Sequence, residues 1–183
     1  RIRASAFPVK DISAGEKMKT IIEAALKDGD SVGGTVECMA AGFPAGYGGA
    51  SLDGIESAVS SIVFSIPAVK GVEFGAGFGS AKMRGSENND EYRAVQGEVS
   101  PLSNNAGGIL GGISTGLPIV FRAAFKPTPS ISRPQRSADM RTLTDTVISV
   151  PGRHDACIVP RAVPVVEAAA AIALLDILEK DNA

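Results

Sequence analysis

Two short runs carry the side chains best suited to chemistry. Lys126-Pro127-Thr128-Pro129-Ser130 places an ammonium and two hydroxyls beside free backbone amides. Groups of this kind hold anions, and the prolines fix the loop backbone. Just upstream, Gly107-Gly108 and Gly111-Gly112 interrupt an apolar run. Glycine pairs serve where backbone must approach a ligand or adopt positive φ. The whole stretch 106–132 reads as a phosphate-bearing ligand lying across a glycine-lined strand pair. The second run, Arg153-His154-Asp155, sets a guanidinium and a carboxylate beside the chain's one histidine. A guanidinium suits paired anionic oxygens. By itself Asp155 reads as a carboxylate capping the turn before Val159, Arg153 as a surface cation and His154 as a structural residue.

The elements that must position these runs follow from periodicity. Residues 1–9 alternate weakly and predict a strand ending at Pro8. Ser13 and Glu16 fit a capping box. Behind it, Met18, Ile21, Ile22, Ala25 and Leu26 mark the apolar face of a helix that stops at Gly29. A strand is predicted over 31–39, with Gly33 and Gly34 marking a close approach. After a Gly/Pro loop over 41–49, Asp53 is placed to cap a helix with the stripe Ile55, Ala58, Val59, Ile62, Val63, Ile66. Pro67 ends it, and a short strand covers 69–74. The polar stretch 84–92 reads as a surface loop or lid. Strands over 107–114 and 118–125 are expected to pair through a turn at 114–117. A further strand covers 141–150. The last helix, over 162–180, is apolar almost all round its middle and is expected to be central, with Pro164 in its first turn. Hairpin connections between strands argue α+β with antiparallel sheets. No glycine run fits a Rossmann or P-loop context.

Composition narrows the function classes. At 183 residues and 44% hydrophobic, the chain is expected to form a single domain over 1–183 with a real core. Net charge is −2, with no basic run and no Trp, which argues against a nucleic-acid surface. The longest apolar run is broken by Glu167 and Asp176, so no membrane span is expected. Cys38 and Cys157 have neither metal nor disulfide-framework spacing, which favours a cytoplasmic setting. The first residues, Arg1-Ile2-Arg3, carry no initiator Met and run directly into strand-like sequence. A chain cut from something longer is the expectation.

The motifs AGGILGGISTGLPI, FKPTPSI and RHDACIVPRAVPVVEA resemble those of chorismate synthase. GDSVGG (29–34), AGFPAGYG (41–48), AVKGVEFGAGF (68–78) and RGSENND (84–90) extend the resemblance in the family's order over nearly the whole chain. It implies an α+β sandwich, with helices between antiparallel sheets, and a homotetramer. It also implies a lyase of the shikimate pathway, serving aromatic amino acid biosynthesis. The reaction is 1,4-elimination of phosphate from 5-enolpyruvylshikimate 3-phosphate, giving chorismate with reduced FMN as cofactor. NADPH enters only if the parent enzyme reduces its own flavin. The family's N-terminal half, with two histidines and substrate-binding arginines, has no counterpart here. The resemblance therefore makes this the later, truncated part of the enzyme, inactive alone.

Residue by residue, the resemblance gives Asp155 the catalytic role, near flavin N5 and assisting proton removal from the substrate carbon. Lys126, Pro127, Thr128, Pro129 and Ser130 become the flavin-contacting run. Gly111 becomes a glycine where a side chain would collide with the flavin, and Arg153 a flavin or substrate-phosphate ligand. Pro67 and Ala68 match another flavin-contacting pair. Many members carry Asn at Pro67, so only a backbone contact survives there. Ala156 stands where Pro is common. A reading of a different class is a non-catalytic binding or assembly domain that keeps the fold. FMN titration separates the two.

Overall fold

The computed structural model describes residues 7–95, 97–152 and 154–181. In chain order the elements are α1 (Ile12–Lys27), β1 (Gly34–Ala40), α2 (Ile55–Phe64), β2 (Val69–Phe74), α3 (Gly85–Asn88), β3 (Tyr92–Val95) and β4 (Glu98–Pro101). There follow β5 (Ile109–Leu110), β6 (Ile113–Ser114), β7 (Ile119–Phe125), β8 (Gln135–Asp139), β9 (Thr144–Ile148) and α4 (Val159–Asp181). They cluster as two compact units. One comprises the residues up to Gly34 with Phe125–Val163, the other Thr35–Ala124 with the residues from Pro164 on.

In the first unit, Asp11 opens α1. Its carboxylate accepts from the amides of Ser13 (2.8 Å) and Ala14 (3.1 Å). The expected Ser13–Glu16 capping box is displaced, because Asp11 satisfies the free amides two residues earlier. Glu16 pairs instead with Lys19 at 2.8 Å. Gly29 follows the helix with φ 66°, as expected of a C-terminal glycine. The predicted apolar face is not buried: Met18, Ile21 and Leu26 are exposed. Periodicity reports that a face is apolar and not what covers it. Residues 1–6 of the predicted first strand lie outside the described residues, and 7–9 are not strand. The strand predicted over 141–150 is one arm of an antiparallel hairpin, in which Arg136 faces Val147 and Asp139 faces Thr144. Its other arm, β8, was hidden because QRSAD has no apolar alternation.

The second unit holds a three-stranded sheet in the order β1-β7-β2. Along β7, Ile119, Phe121, Ala123 and Phe125 are buried and the residues between them half-buried. That is the period-two signature of a strand with one face in the core. The Gly75 amide donates to the Val120 carbonyl at 3.0 Å, and Arg122 Nε lies 2.8 Å from Glu73 Oε1. A Cβ built on Gly71 would lie 3.6 Å from that of Ala124. Each step forward along β2 is matched by a step back along β7, so the two strands are antiparallel. Helix α2 packs on β2, and its Ile55, Val59 and Val63 have no exposure at all. Each such side chain contributes about 2 kcal/mol on burial.

Four details of this unit depart from expectation. The α2 cap is Gly54 and no side chain caps the helix, so Asp53 does not. A Cβ on Gly54 would sit 3.1 Å from the Gly112 Cα, so backbone packing decides that position. The polar stretch 84–92 contains a short helix, α3, at whose start the Glu87 carboxylate accepts from the Arg84 amide at 2.7 Å and the Glu87 amide donates to the Arg84 carbonyl at 2.9 Å. The glycine-rich hairpin turns earlier than expected: Ile109 faces Ser114 and Leu110 faces Ile113, leaving Gly111-Gly112 as its two-residue loop. Their φ values of 61° and 87° make this a type I′ turn. The run 118–125 joins the three-stranded sheet and leaves 107–114 to pair with itself. Finally, α4 begins at Val159, which moves Pro164 into its second turn. Val166, Ala170, Ala173 and Ile177 are buried, whereas Val165, Ile172 and Leu175 on its other side are exposed. Helices and antiparallel hairpins together make an α+β fold.

Candidate functional site

In the first unit, the chain leaving β7 forms the loop 126–130. Lys126, Pro127 and Pro129 are exposed and Thr128 and Ser130 half-buried. The loop is held from two sides. Ser31 Oγ donates to the Thr128 carbonyl at 2.6 Å, and the Arg133 amide donates to the Gly29 carbonyl at 3.1 Å. On the other side, Val150 N donates to Ile131 O at 3.1 Å, and Ser149 Oγ donates to Ser132 O at 3.0 Å. Within this frame the hydroxyl Thr128 Oγ1 is buried and has no hydrogen-bond partner among the described residues. A buried polar atom left unpaired costs about 1–3 kcal/mol, so its presence calls for an explanation. Asn104 Oδ1 is in the same position, although its amide nitrogen donates to Pro118 O at 2.8 Å.

Asp155 lies in the same unit. Its carboxylate is about half exposed and forms an ion pair with Arg161. The next residue, Ala156, accepts from the Val32 amide at 2.8 Å. His154 Nε2 lies 3.0 Å from the Val150 carbonyl, which agrees with a structural role for that ring. Arg153 lies outside the described residues. The motif GDSVGG thus reaches both the 126–130 loop and the run containing Asp155.

Pro67, Ala68 and Gly111 belong to the second unit. The Val69 amide donates to Ile66 O at 3.3 Å across Pro67 and Ala68. With Pro67 in second place and Ala68 at φ 74°, this is a type II turn. Proline is favoured at that first central position, which accounts locally for Pro67. Alanine with positive φ is strained by about 1–2 kcal/mol, so Ala68 occupies a place that sterics alone would give to Gly. Gly111 sits at the tip of the β5–β6 hairpin, and a Cβ there would meet nothing within 4 Å. The space ahead of it is open, so packing within the chain does not explain the residue. Gly112 accepts from the Ile55 amide at 3.0 Å, at the start of α2, whereas Pro67 follows its end. The two places are therefore separated by the length of the helix, about 15 Å.

Two residues that organise this unit escaped the sequence reading. Ser114 is buried. Its hydroxyl donates to Pro44 O at 2.6 Å and accepts from the Tyr47 amide at 3.0 Å, tying the Gly/Pro loop to the hairpin. Asp90, at the end of RGSENND, accepts from Ser103 Oγ (2.6 Å) and from the amides of Asn105 (2.6 Å) and Ala106 (2.9 Å). Partial burial pushes its carboxyl pKa up. The three hydrogen bonds outweigh this and leave it below the ordinary carboxylate value. The polar motif without an assigned role thus anchors the approach to the glycine hairpin. For Ser114 the available signal was a polar residue inside an otherwise apolar, glycine-rich run; Asp90, in a polar run, carried no such signal.

The fold and these sites define an α+β chain in which a Lys/Thr/Ser loop and a glycine hairpin are each rigidly supported. Comparison with known proteins makes the class specific. The sequence model of the family described as chorismate synthase matches residues 1–178, and the chain belongs to that family. A chorismate synthase of Methanosarcina acetivorans is 54% identical over 166 residues, covering 91% of this chain and 46% of that protein. One from Thermococcus gammatolerans is 53% identical over 173 residues, covering 94% and 49%. One from Dehalococcoides mccartyi is 50% identical over 167 residues, covering 91% and 46%. A crystal structure of chorismate synthase superposes with a TM-score of 0.73 at 34% identity, covering 92% of this chain and 44% of that one. The chain spans about half the length of the curated relatives it matches.

Proposed function

We propose that this chain supplies the cofactor side of a chorismate synthase active site. The enzyme then eliminates phosphate from 5-enolpyruvylshikimate 3-phosphate in the anti 1,4 sense to give chorismate. The observation that carries the reading is the buried Thr128 hydroxyl, without a hydrogen-bond partner among the described residues, in a firmly held Lys/Thr/Ser loop. Those groups fit FMN, whose polar edge and phosphate need donors and a cation. Lys126, Thr128, Ser130 and the backbone of Pro127 and Pro129 would hold it. Arg153, Gly111 and the Pro67-Ala68 turn are the other flavin contacts that the resemblance implies. When bound and reduced, FMN would supply transient electron density to an elimination that is redox-neutral overall.

The chain's own residues have narrower tasks. Asp155 assists removal of the proton as the substrate C–H bond breaks, a role open to a positioned carboxylate. Arg161, paired with that carboxylate, orients it between turnovers. The C–O bond to phosphate breaks on the opposite face, and protein cations, Arg153 among them, receive the leaving group. With His154 as its one histidine, the 183-residue chain is inactive alone and contributes as one domain to a cytoplasmic homotetramer. NADPH is needed only where the enzyme reduces its own flavin.

Anaerobic assay of the complete enzyme with reduced FMN, following chorismate and orthophosphate together, tests the reading. Asp155→Asn is expected to lower kcat by at least about 100-fold with FMN affinity unchanged. An unchanged kcat removes Asp155 from the mechanism.

A further inference from the structure

The segment 29–33 has no assigned role, yet its contacts converge on the proposed cofactor loop. Ser31 Oγ holds the Thr128 carbonyl at 2.6 Å. Gly33 lies so close to the loop's entry that an added Cβ would collide with the Phe125 carbonyl and sit 3.1 Å from Pro127 N. Beyond Thr128, Gly29 O accepts from Arg133 N at 3.1 Å, and Asp30 pairs with Arg133 at 3.3 Å. Asp30 Oδ1 also accepts from the Ser31 amide at 2.8 Å, fixing the backbone from which the Ser31 hydroxyl projects.

We propose that Ser31 is a positioning residue for the FMN loop, with Gly33 leaving the room that its approach requires. This rests on the cofactor reading given above. The prolines at 127 and 129 lock their own φ, and Pro129 confines Thr128 to extended conformations. The main freedom left at Thr128 is rotation about its N–Cα bond, which swings its side chain together with the peptide plane it shares with Pro129. The Ser31 bond falls on the carbonyl of that plane. It therefore sets the direction of the Thr128 side chain, whose hydroxyl has no partner among the described residues.

The test is FMN titration of the intact protein by flavin fluorescence, with thermal unfolding measured in parallel. Ser31→Ala is expected to weaken FMN about tenfold, the worth of one well-placed hydrogen bond. Ser31→Thr, which keeps the hydroxyl, should bind within about twofold of the wild type by the same account. Thr128→Val should also weaken binding, and adding Ser31→Ala to it should weaken it no further. Where Ser31→Ala folds poorly, Ser31→Cys keeps the size with a weaker donor and should fall between Ser and Ala. Wild-type affinity in Ser31→Ala, with Thr128→Val weakened, overturns the positioning role and leaves the cofactor reading standing. An equal loss on adding Ser31→Ala to Thr128→Val also overturns it, because Ser31 would then act on the structure at large. Unchanged affinity in Thr128→Val removes the loop from the cofactor site, and the positioning role goes with it.

Discussion

Ser114 and Thr128 are both hydroxyl residues in tightly held backbone, and they end in opposite states. Ser114 gives and receives a hydrogen bond, each to backbone of the 41–49 loop. Thr128 has its carbonyl held by Ser31, while its hydroxyl is buried without a partner among the described residues. The first arrangement is complete within the chain. The second is stable only because the surrounding frame overrides an unmet polar group. A satisfied buried group marks architecture, whereas an unsatisfied one in a rigid frame is the kind of group that the proposed cofactor reading would pair.

The largest expected effect tests the complete member of the pair. Ser114→Ala strands the Tyr47 amide and the Pro44 carbonyl and should cost about 2–3 kcal/mol in urea unfolding. A loss below about 0.5 kcal/mol would show that water replaces the hydroxyl, erasing the contrast. For Thr128→Val the two readouts should move in opposite directions. Stability without FMN should rise by about 1 kcal/mol as an unpaired hydroxyl is removed, while FMN affinity falls. Lower stability in the variant would mean that Thr128 is already satisfied and no more ligand-ready than Ser114.

Asp90 extends the comparison to a charged anchor. Its folded pKa lies below the unfolded value of about 3.9. The stability it contributes is therefore fully present above that value and lost as pH falls through the folded pKa. Asp90→Asn should flatten the acid limb of the stability–pH curve below about pH 4. An unchanged limb would show that Asp90 is not a charged anchor. The smallest effect belongs to the strained turn. Ala68→Gly relieves positive φ but adds freedom to the unfolded chain, for a net gain of about 0.5 kcal/mol in chemical denaturation. A net loss would mean that the alanine side chain makes contacts worth more than its strain.

Much of the fold was legible in the residues. The 3.6-residue stripe of Ile55, Val59 and Val63 and the turn made by Pro67 placed α2 and β2, since both signals are local. The Gly29 stop of α1 was equally local. Where the reading went astray, competing partners decided the outcome. Asp11 took the cap from Ser13, Gly112 took the space beside Gly54 from any capping side chain, and β7 left the glycine hairpin for a sheet whose other strands are distant in sequence. The exposed face of α1 and the exposed side of α4 carry the same apolar periodicity as buried ones.

The candidate site divides in the same way. Residue types and order alone determined the family and nominated the 126–130 loop and Asp155 as candidates, because motif chemistry resides in local sequence. Only the tertiary structure decided that Gly111 heads a type I′ turn with open space before it, that Ser31 grips the carbonyl of Thr128, and that the Thr128 hydroxyl is left unpaired among the described residues. Those facts depend on contacts between residues as many as 97 positions apart. Which of many possible partners a polar group meets is settled when the chain closes its loops, and local propensity does not encode that choice.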